Sequence, residues 1–183
     1  MNIVNVVCVK IGHYIENGFI SRFRFMRARE YGRALDSLVI SCVDLVLVND
    51  GKILLGKRDQ FPQKDWWIIG GRMRPGESFE ETAQRNAKRE LNLDIAPERF
   101  SFLTVFSTVW SKRAQSPQEN GTHAISIVMF AIISDSEKNA IAHNNEYSEA
   151  QWASPKEILE GEFHGAVKQC AQAVLSLRHQ QHI

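Results

Sequence analysis

The chain has 183 residues, 22 Lys plus Arg against 21 Asp plus Glu, and 44% hydrophobic residues. A chain of this length can bury about 70% of its unfolded surface without disulfides or a structural metal, and the charge balance argues against a dedicated polyanion-binding protein. Cys8, Cys42 and Cys170 are odd in number and form no C-x-x-C pair, so a reducing, cytoplasmic setting is expected rather than a disulfide framework or a zinc site.

Residues 1–9 are apolar, with no basic residue before them and no cleavage site, and read as a strand or docked arm rather than a signal peptide. No apolar run approaches the roughly 20 residues of a membrane-spanning helix, so no membrane partner is expected. Residues 1–36 are set apart as an N-terminal extension. Arg22, Arg24, Arg27, Arg29 and Arg33 interleave there with Phe23, Phe25, Met26 and Tyr31. That pattern predicts a basic amphipathic helix with a solvated face rather than a nucleic-acid-binding one.

From Ser37 onward the pattern is that of strands. Residues 38–48 are rich in β-branched side chains and end at Asn49-Asp50-Gly51, a hairpin signal, with residues 52–58 as the return strand. A loop with Pro62 leads to a short strand at residues 66–69, closed by Gly70-Gly71. Residues 78–91 predict a helix. Ser78 and Glu81 have capping-box spacing, and Phe79, Ala83, Ala87 and Leu91 form a buried stripe. Strands follow at residues 100–110 and 122–133, then a short one near Gln151-Trp152 and a helix at residues 165–178. Together these predict an α/β domain over residues 37–183, with helices on both sides of a mixed β-sheet.

The segment from Gly70 to Leu93 carries the chemistry. A glycine pair after a strand lets main-chain carbonyls approach an ion, and helix carboxylates supply the hard oxygen ligands that magnesium prefers. Asn86 and Glu90, four residues apart, project from one side of the helix. Asp44 is a carboxylate in an otherwise apolar strand, so it must be paired or face a cleft.

This segment resembles a Nudix box, G-x5-E-x7-R-E-U-x-E-E-x-G-U, where U is a bulky aliphatic. Gly71, Glu77, Arg85, Glu90 and Leu93 match it, whereas Asn86, Ala87, Arg89 and Asn92 depart from it. The branch typified by GDP-mannose mannosyl hydrolase likewise lacks the other helix glutamates, and Asp44, residues 54–58, Trp67, Arg72 and Gly121-Thr122 are similar to its landmarks. The resemblance, spanning about residues 38–152, implies a Nudix-type α/β/α sandwich. It also implies metal ligands at Gly70, Glu90 and Glu146, a diphosphate contact at Arg72, and substrate contacts at Asp44, Arg58 and Arg85. Glu77 and Arg85 are expected as an ion pair pinning loop to helix.

Tyr147 stands where that branch has its general-base histidine. A phenol with a pKa near 10 is a poor base, which leaves His143 or Glu146 for the role. Either Trp66 or Trp67 is a candidate to stack on a base. The implied activity is Mg2+-dependent hydrolysis, with Mn2+ as a substitute, of a nucleotide sugar such as GDP-mannose. The alternatives are a nucleoside triphosphate or ADP-ribose pyrophosphohydrolase, or a non-catalytic nucleotide-sugar sensor. The expected partner is a small-molecule nucleotide and not a nucleic acid, with homodimerisation left open.

Overall fold

A computed structural model describes residues 11–179; the apolar start at residues 1–9 lies outside them. In chain order the elements are helix α1 (Ala28–Leu35), strands β1 (Ile40–Asn49), β2 (Lys52–Arg58), β3 (Trp66–Trp67) and β4 (Ile69–Arg72), helix α2 (Phe79–Leu91), strands β5 (Ser101–Trp110) and β6 (Thr122–Ile132), helix α3 (Asp135–Asn139), strand β7 (Tyr147–Ala153), and helices α4 (Pro155–Glu160) and α5 (Gly165–His179). The sheet has seven strands in the order β3-β2-β1-β6-β5, with β4 also on β1 and β7 also on β2. The β1–β2 hairpin turns through Asp50 (φ 45°) and Gly51 (φ 72°), the left-handed pair that its sequence predicts.

Strands β1 and β6 run parallel at the centre of the sheet. Their apolar runs are near-continuous because both faces are covered. Odd-numbered Val43, Leu45, Leu47, Ile127, Met129 and Ala131 pack with Ala83, Ala87 and Leu91 of α2. Even-numbered Val46, Val48, Val128 and Phe130 pack with Val167, Cys170, Ala171 and Val174 of α5. The expected mixed sheet between two helical layers is therefore present. The Ser78–Glu81 capping box forms as well, each side chain bonding the other's main-chain N–H, at 3.1 and 2.8 Å. Helix α2 ends on Asn92 in the left-handed conformation (φ 56°), one that asparagine tolerates in place of glycine.

Three expectations need correction. The glycine pair does not close the Trp66 strand: β3 stops at Trp67, and Gly70 and Gly71 lie inside β4, opposite Asp44 and Val43 of β1. The basic N-terminal helix is confined to α1, so Arg22, Arg24 and Arg27 precede it and only Arg29 and Arg33 lie on it. The Arg22-Phe23-Arg24-Phe25 alternation has period two and suits extended chain; Phe23 and Phe25 meet edge-to-face, with Arg74 over both rings. The short strand expected near Gln151 begins earlier, at Tyr147.

Candidate active site

The loop between β4 and α2 is anchored through Glu77. This carboxylate accepts hydrogen bonds from the Arg74 N–H (3.0 Å), the Thr82 hydroxyl (2.9 Å), and Arg85 Nε and Nη2 (2.5 and 2.6 Å). Burial pulls the Glu77 carboxyl upward, but these hydrogen bonds outweigh it and hold the group below the usual range. Arg85 also donates from Nη2 to the Arg72 carbonyl and from Nη1 to Asn86 Oδ1, both at 2.9 Å. All three of its nitrogens are engaged within the protein, which makes Arg85 a clamp between loop and helix. It does not line the cleft described below.

Asn86, a departure from the Nudix pattern, is fully buried. Its Nδ2 donates to the carbonyls of Val43 and Gly71, both at 3.1 Å, and so ties α2 to β1 and β4. One turn on, the buried Glu90 takes Arg89 Nε (2.7 Å) and Nη2 on Oε1, and Asn144 Nδ2 (3.1 Å) on Oε2. Asn144 also donates its N–H to the Glu90 carbonyl (2.9 Å) and accepts the Glu146 N–H on Oδ1 (2.9 Å). This lattice brings the Glu146 carboxyl against Glu90. Burial, then the Glu146 charge, pushes the Glu90 carboxyl up to about 7, against the pull of Arg89.

The Glu146 carboxyl lines a cleft of about 290 Å3 together with Gly70, Gly71, Arg58, Arg72, Arg89 and Arg113, with Tyr31, Phe61 and Trp110 as its aromatic members. Glu90 is fully buried behind this lining and meets it through Arg89. The lining arginines thus outnumber the lining carboxylates. Arg58 reaches Glu146 at 3.4 Å and Arg113 reaches Asp36 at 2.7 Å. Arg72 lies over the Tyr31 ring, 3.9 Å from its centroid, and has no carboxylate partner among the described residues. Arg58 Nε and Arg113 Nη2 are buried with no hydrogen-bond partner. Buried donors of this kind are costly unless something satisfies them, and an anion in the cleft would do so.

The donor set fits a hard divalent cation. Two carboxylates side by side repel unless positive charge lies between them, and the Gly70 main chain borders the same cleft. Among the described residues no three His, Cys, Asp or Glu side chains converge on one point. A metal here would draw its remaining ligands from water and substrate oxygens, as Mg2+ commonly does.

The other expected residues lie elsewhere. Asp44 is buried under the sheet face that α5 covers, hydrogen-bonded by Ser126 and Trp67, and is not a lining residue. Burial pushes its carboxyl up to about 6. His143 is exposed, its Nδ1 3.3 Å from the Asn144 carbonyl oxygen, and is also absent from the lining. Tyr147 is a core residue whose ring fills the space beside Gly56. Burial and then the Glu90 charge raise its phenol far above the ordinary value, so it stays protonated. Trp67 packs on Phe106, Trp110 and His164, and Trp66 lies under the Lys57 ammonium; neither lines the cleft.

Sequence reasoning did not identify Tyr31, Phe61 or Trp110 as cleft residues, nor Arg89 and Arg113 as part of the site. Asp36, Arg113 and Asn120 join α1 to the loop before β6, with Asp36 accepting from Arg113 Nη1 (2.7 Å) and Asn120 Nδ2 (2.9 Å). Sequence alone offers no signal for that closure.

The model of the NUDIX domain family matches residues 40–173. The chain is 25% identical over 118 residues to the nucleoside triphosphatase NudI of Escherichia coli K12, an alignment covering 62% of this chain and 81% of that protein. Its fold is similar to a MutT NUDIX hydrolase from Burkholderia pseudomallei (TM-score 0.61, 22% identity, covering 75% of this chain and 99% of that one). It is also similar to the NUDIX domain of Shewanella oneidensis NrtR in complex with ADP ribose (TM-score 0.54, 19% identity, covering 82% and 99%).

Proposed function

The chain belongs to the NUDIX domain family, and on that premise we propose that it hydrolyses a nucleoside diphosphate linked to a further group, using Mg2+ or Mn2+. The observation that carries this reading is the cleft itself. Its arginines, two of them with unsatisfied buried nitrogens, surround the Glu146 carboxyl and the glycine pair, beside aromatic rings suited to a base or sugar. The metal, when bound, supplies Lewis-acid polarisation of a phosphoryl oxygen.

The chain's own residues supply the remainder. Arg72, free of any carboxylate partner among the described residues, binds a phosphate oxygen and stabilises charge on the departing group. Arg58 holds Glu146 in place and offers Nε to the substrate. Glu146, rather than the exposed His143 or the protonated Tyr147, is placed to accept the proton of the attacking water. The relatives do not favour GDP-mannose. NudI is named as a nucleoside triphosphatase, and the NrtR domain was crystallised with ADP ribose; a triphosphate or an ADP-ribose-like diphosphate is accordingly the substrate class to test beside nucleotide sugars. Free Cys42 and Cys170 support a reducing, cytoplasmic site of action, and no helix among the described residues is long and apolar enough to cross a membrane.

The test is a screen of nucleoside triphosphates, ADP-ribose and nucleotide sugars with Mg2+ and Mn2+, with products analysed in oxygen-18 water. Label in phosphate marks attack at phosphorus, and label in sugar marks attack at carbon. Glu90→Gln should lower turnover by roughly a hundredfold or more. Absence of metal-dependent turnover on every class, with nucleotide still bound, would leave a sensor in place of an enzyme.

A further inference from the structure

Arg89 occupies a position where the family pattern has a glutamate, so a negative charge is exchanged for a positive one beside the metal site. Its placement is not that of a solvated surface arginine. Nε and Nη2 both rest on Oε1 of Glu90, whose side chain is 0% exposed, while the arginine side chain is 44% exposed and reaches the cleft lining. The guanidinium lies over Gly71: a Cβ there would stand 2.6 Å from Nη2, closer than atoms pack. Gly71 therefore leaves room for a guanidinium as well as for the close approach of the main chain. Among the described residues no partner engages Nη1. A guanidinium held on one edge by a buried carboxylate is fixed in orientation and loses little entropy when its free edge meets an anion.

We infer that Arg89 is a tethered cation of the diphosphate site, a direct phosphate ligand that takes over part of the charge neutralisation otherwise left to metal. This rests on the cleft being a nucleoside diphosphate site. It implies that the protein retains affinity for a nucleoside diphosphate when metal is removed, and that Arg89 is the source of much of it. It also implies that Arg89 weakens metal binding, because it competes for Glu90 and adds positive charge beside the cation.

The experiment uses the full chain and ADP as probe. ADP affinity is measured by calorimetry in chelator and again with Mn2+. Mn2+ affinity without nucleotide is measured by electron paramagnetic resonance. Both are done for wild type, Arg89→Gln and Arg89→Lys, with circular dichroism to confirm folding. Expected are metal-free ADP binding by wild type, a loss of tenfold or more in Arg89→Gln with partial recovery in Arg89→Lys, and tighter Mn2+ binding by Arg89→Gln. Equal metal-free ADP affinity in wild type and folded Arg89→Gln would overturn the inference and leave Arg89 as a structural partner of Glu90. Should Arg89→Gln not fold, the inference is judged on Arg89→Lys, and wild-type ADP and Mn2+ affinities in that variant overturn it. If wild type binds no ADP even with Mn2+, and no nucleotide in the screen, the proposed function itself fails; binding with Mn2+ but none in chelator defeats the Arg89 inference alone.

Discussion

Arg85 holds Glu77 with two parallel hydrogen bonds, Nε to Oε1 at 2.5 Å and Nη2 to Oε2 at 2.6 Å. Because Glu77 also accepts the Arg74 N–H and Arg85 also donates to the carbonyl of Arg72, the last residue of β4, this pair sets the path of the loop that leaves Arg72. The pair is partly buried, with side chains 18% and 20% exposed.

Glu77→Ala should therefore lose both stability and activity. Partial exposure places the cost between that of a surface pair and that of a fully buried one, at about 2 kcal/mol. Thermal melting and turnover should fall together. An unchanged melting temperature with lost turnover would move Glu77 from architecture into chemistry.

Asn86 gives a prediction that the family pattern alone would reverse. Asn86→Glu restores the residue of the Nudix box, yet here it would set a carboxylate against the carbonyl oxygens of Val43 and Gly71, which now accept from Asn86 Nδ2. Three acceptors would face one another in a buried place, and such unsatisfied groups cost about 1–3 kcal/mol, more when charged. The variant should melt lower than wild type and gain no activity. Higher turnover at undiminished stability would show that the site accommodates a metal at Asn86 after all.

The parts of this molecule that were legible in sequence are those with periodicity or a capping signature. Strands β1 and β6 read as strands because burial on both faces left them apolar and β-branched, and α2 because Ser78 and Glu81 cap a four-residue stripe. Helices α3 and α4 are too short for a stripe to register, although Ser134 with Glu137 and Ser154 with Glu157 repeat the capping-box spacing and would have located both. In the site, Glu90, Glu146, Arg58 and Arg72 were reached through resemblance; the structure sets Glu146, Arg58 and Arg72 in one cleft lining and buries Glu90 behind it, against Arg89. Arg89 stood out in sequence only as a departure from the box, and Asn86 as a departure that shares a helix side with Glu90. The role of Asn86 depends on the Val43 and Gly71 carbonyls across from it on β1 and β4. That of Arg89 depends on its neighbour Glu90 being buried while Gly71 and the cleft face the guanidinium. The sequence of a single helix does not say which neighbour is buried or what faces it.

Tyr147 should prove dispensable for the chemistry. It stands where the resembling branch has a base, but its phenol is buried, faces the Glu90 charge and stays protonated. Tyr147→Phe keeps the ring that packs beside Gly56 and should retain most turnover, with stability within about 1 kcal/mol of wild type. Tyr147→Ala opens a cavity in the core and should cost about 3–5 kcal/mol. Loss of turnover in a stable, substrate-binding Tyr147→Phe would give the hydroxyl a catalytic role.

Asp44 shapes how stability varies with pH. Burial raises its carboxyl from 3.8 to about 6, against the hydrogen bonds of Ser126, the charge of Arg58 and the hydrogen bond of Trp67. Between those two values the folded protein keeps a proton that the unfolded chain has released, so protonation of this group favours the fold. Its stabilising contribution is complete below the unfolded value, is lost as pH rises through about 6, and is absent at neutral pH. A shift of this size corresponds to about 3 kcal/mol. Asp44→Asn keeps an oxygen to accept from Ser126 and Trp67 and removes the ionisation. The variant should melt at or above the wild-type temperature at neutral pH, and the wild-type decline between about pH 4 and pH 6.5 should flatten. If the two proteins keep parallel melting profiles across that range, Asp44 titrates in the fold at its ordinary pKa, and the contacts of Ser126, Arg58 and Trp67 fully offset the burial that raises it here.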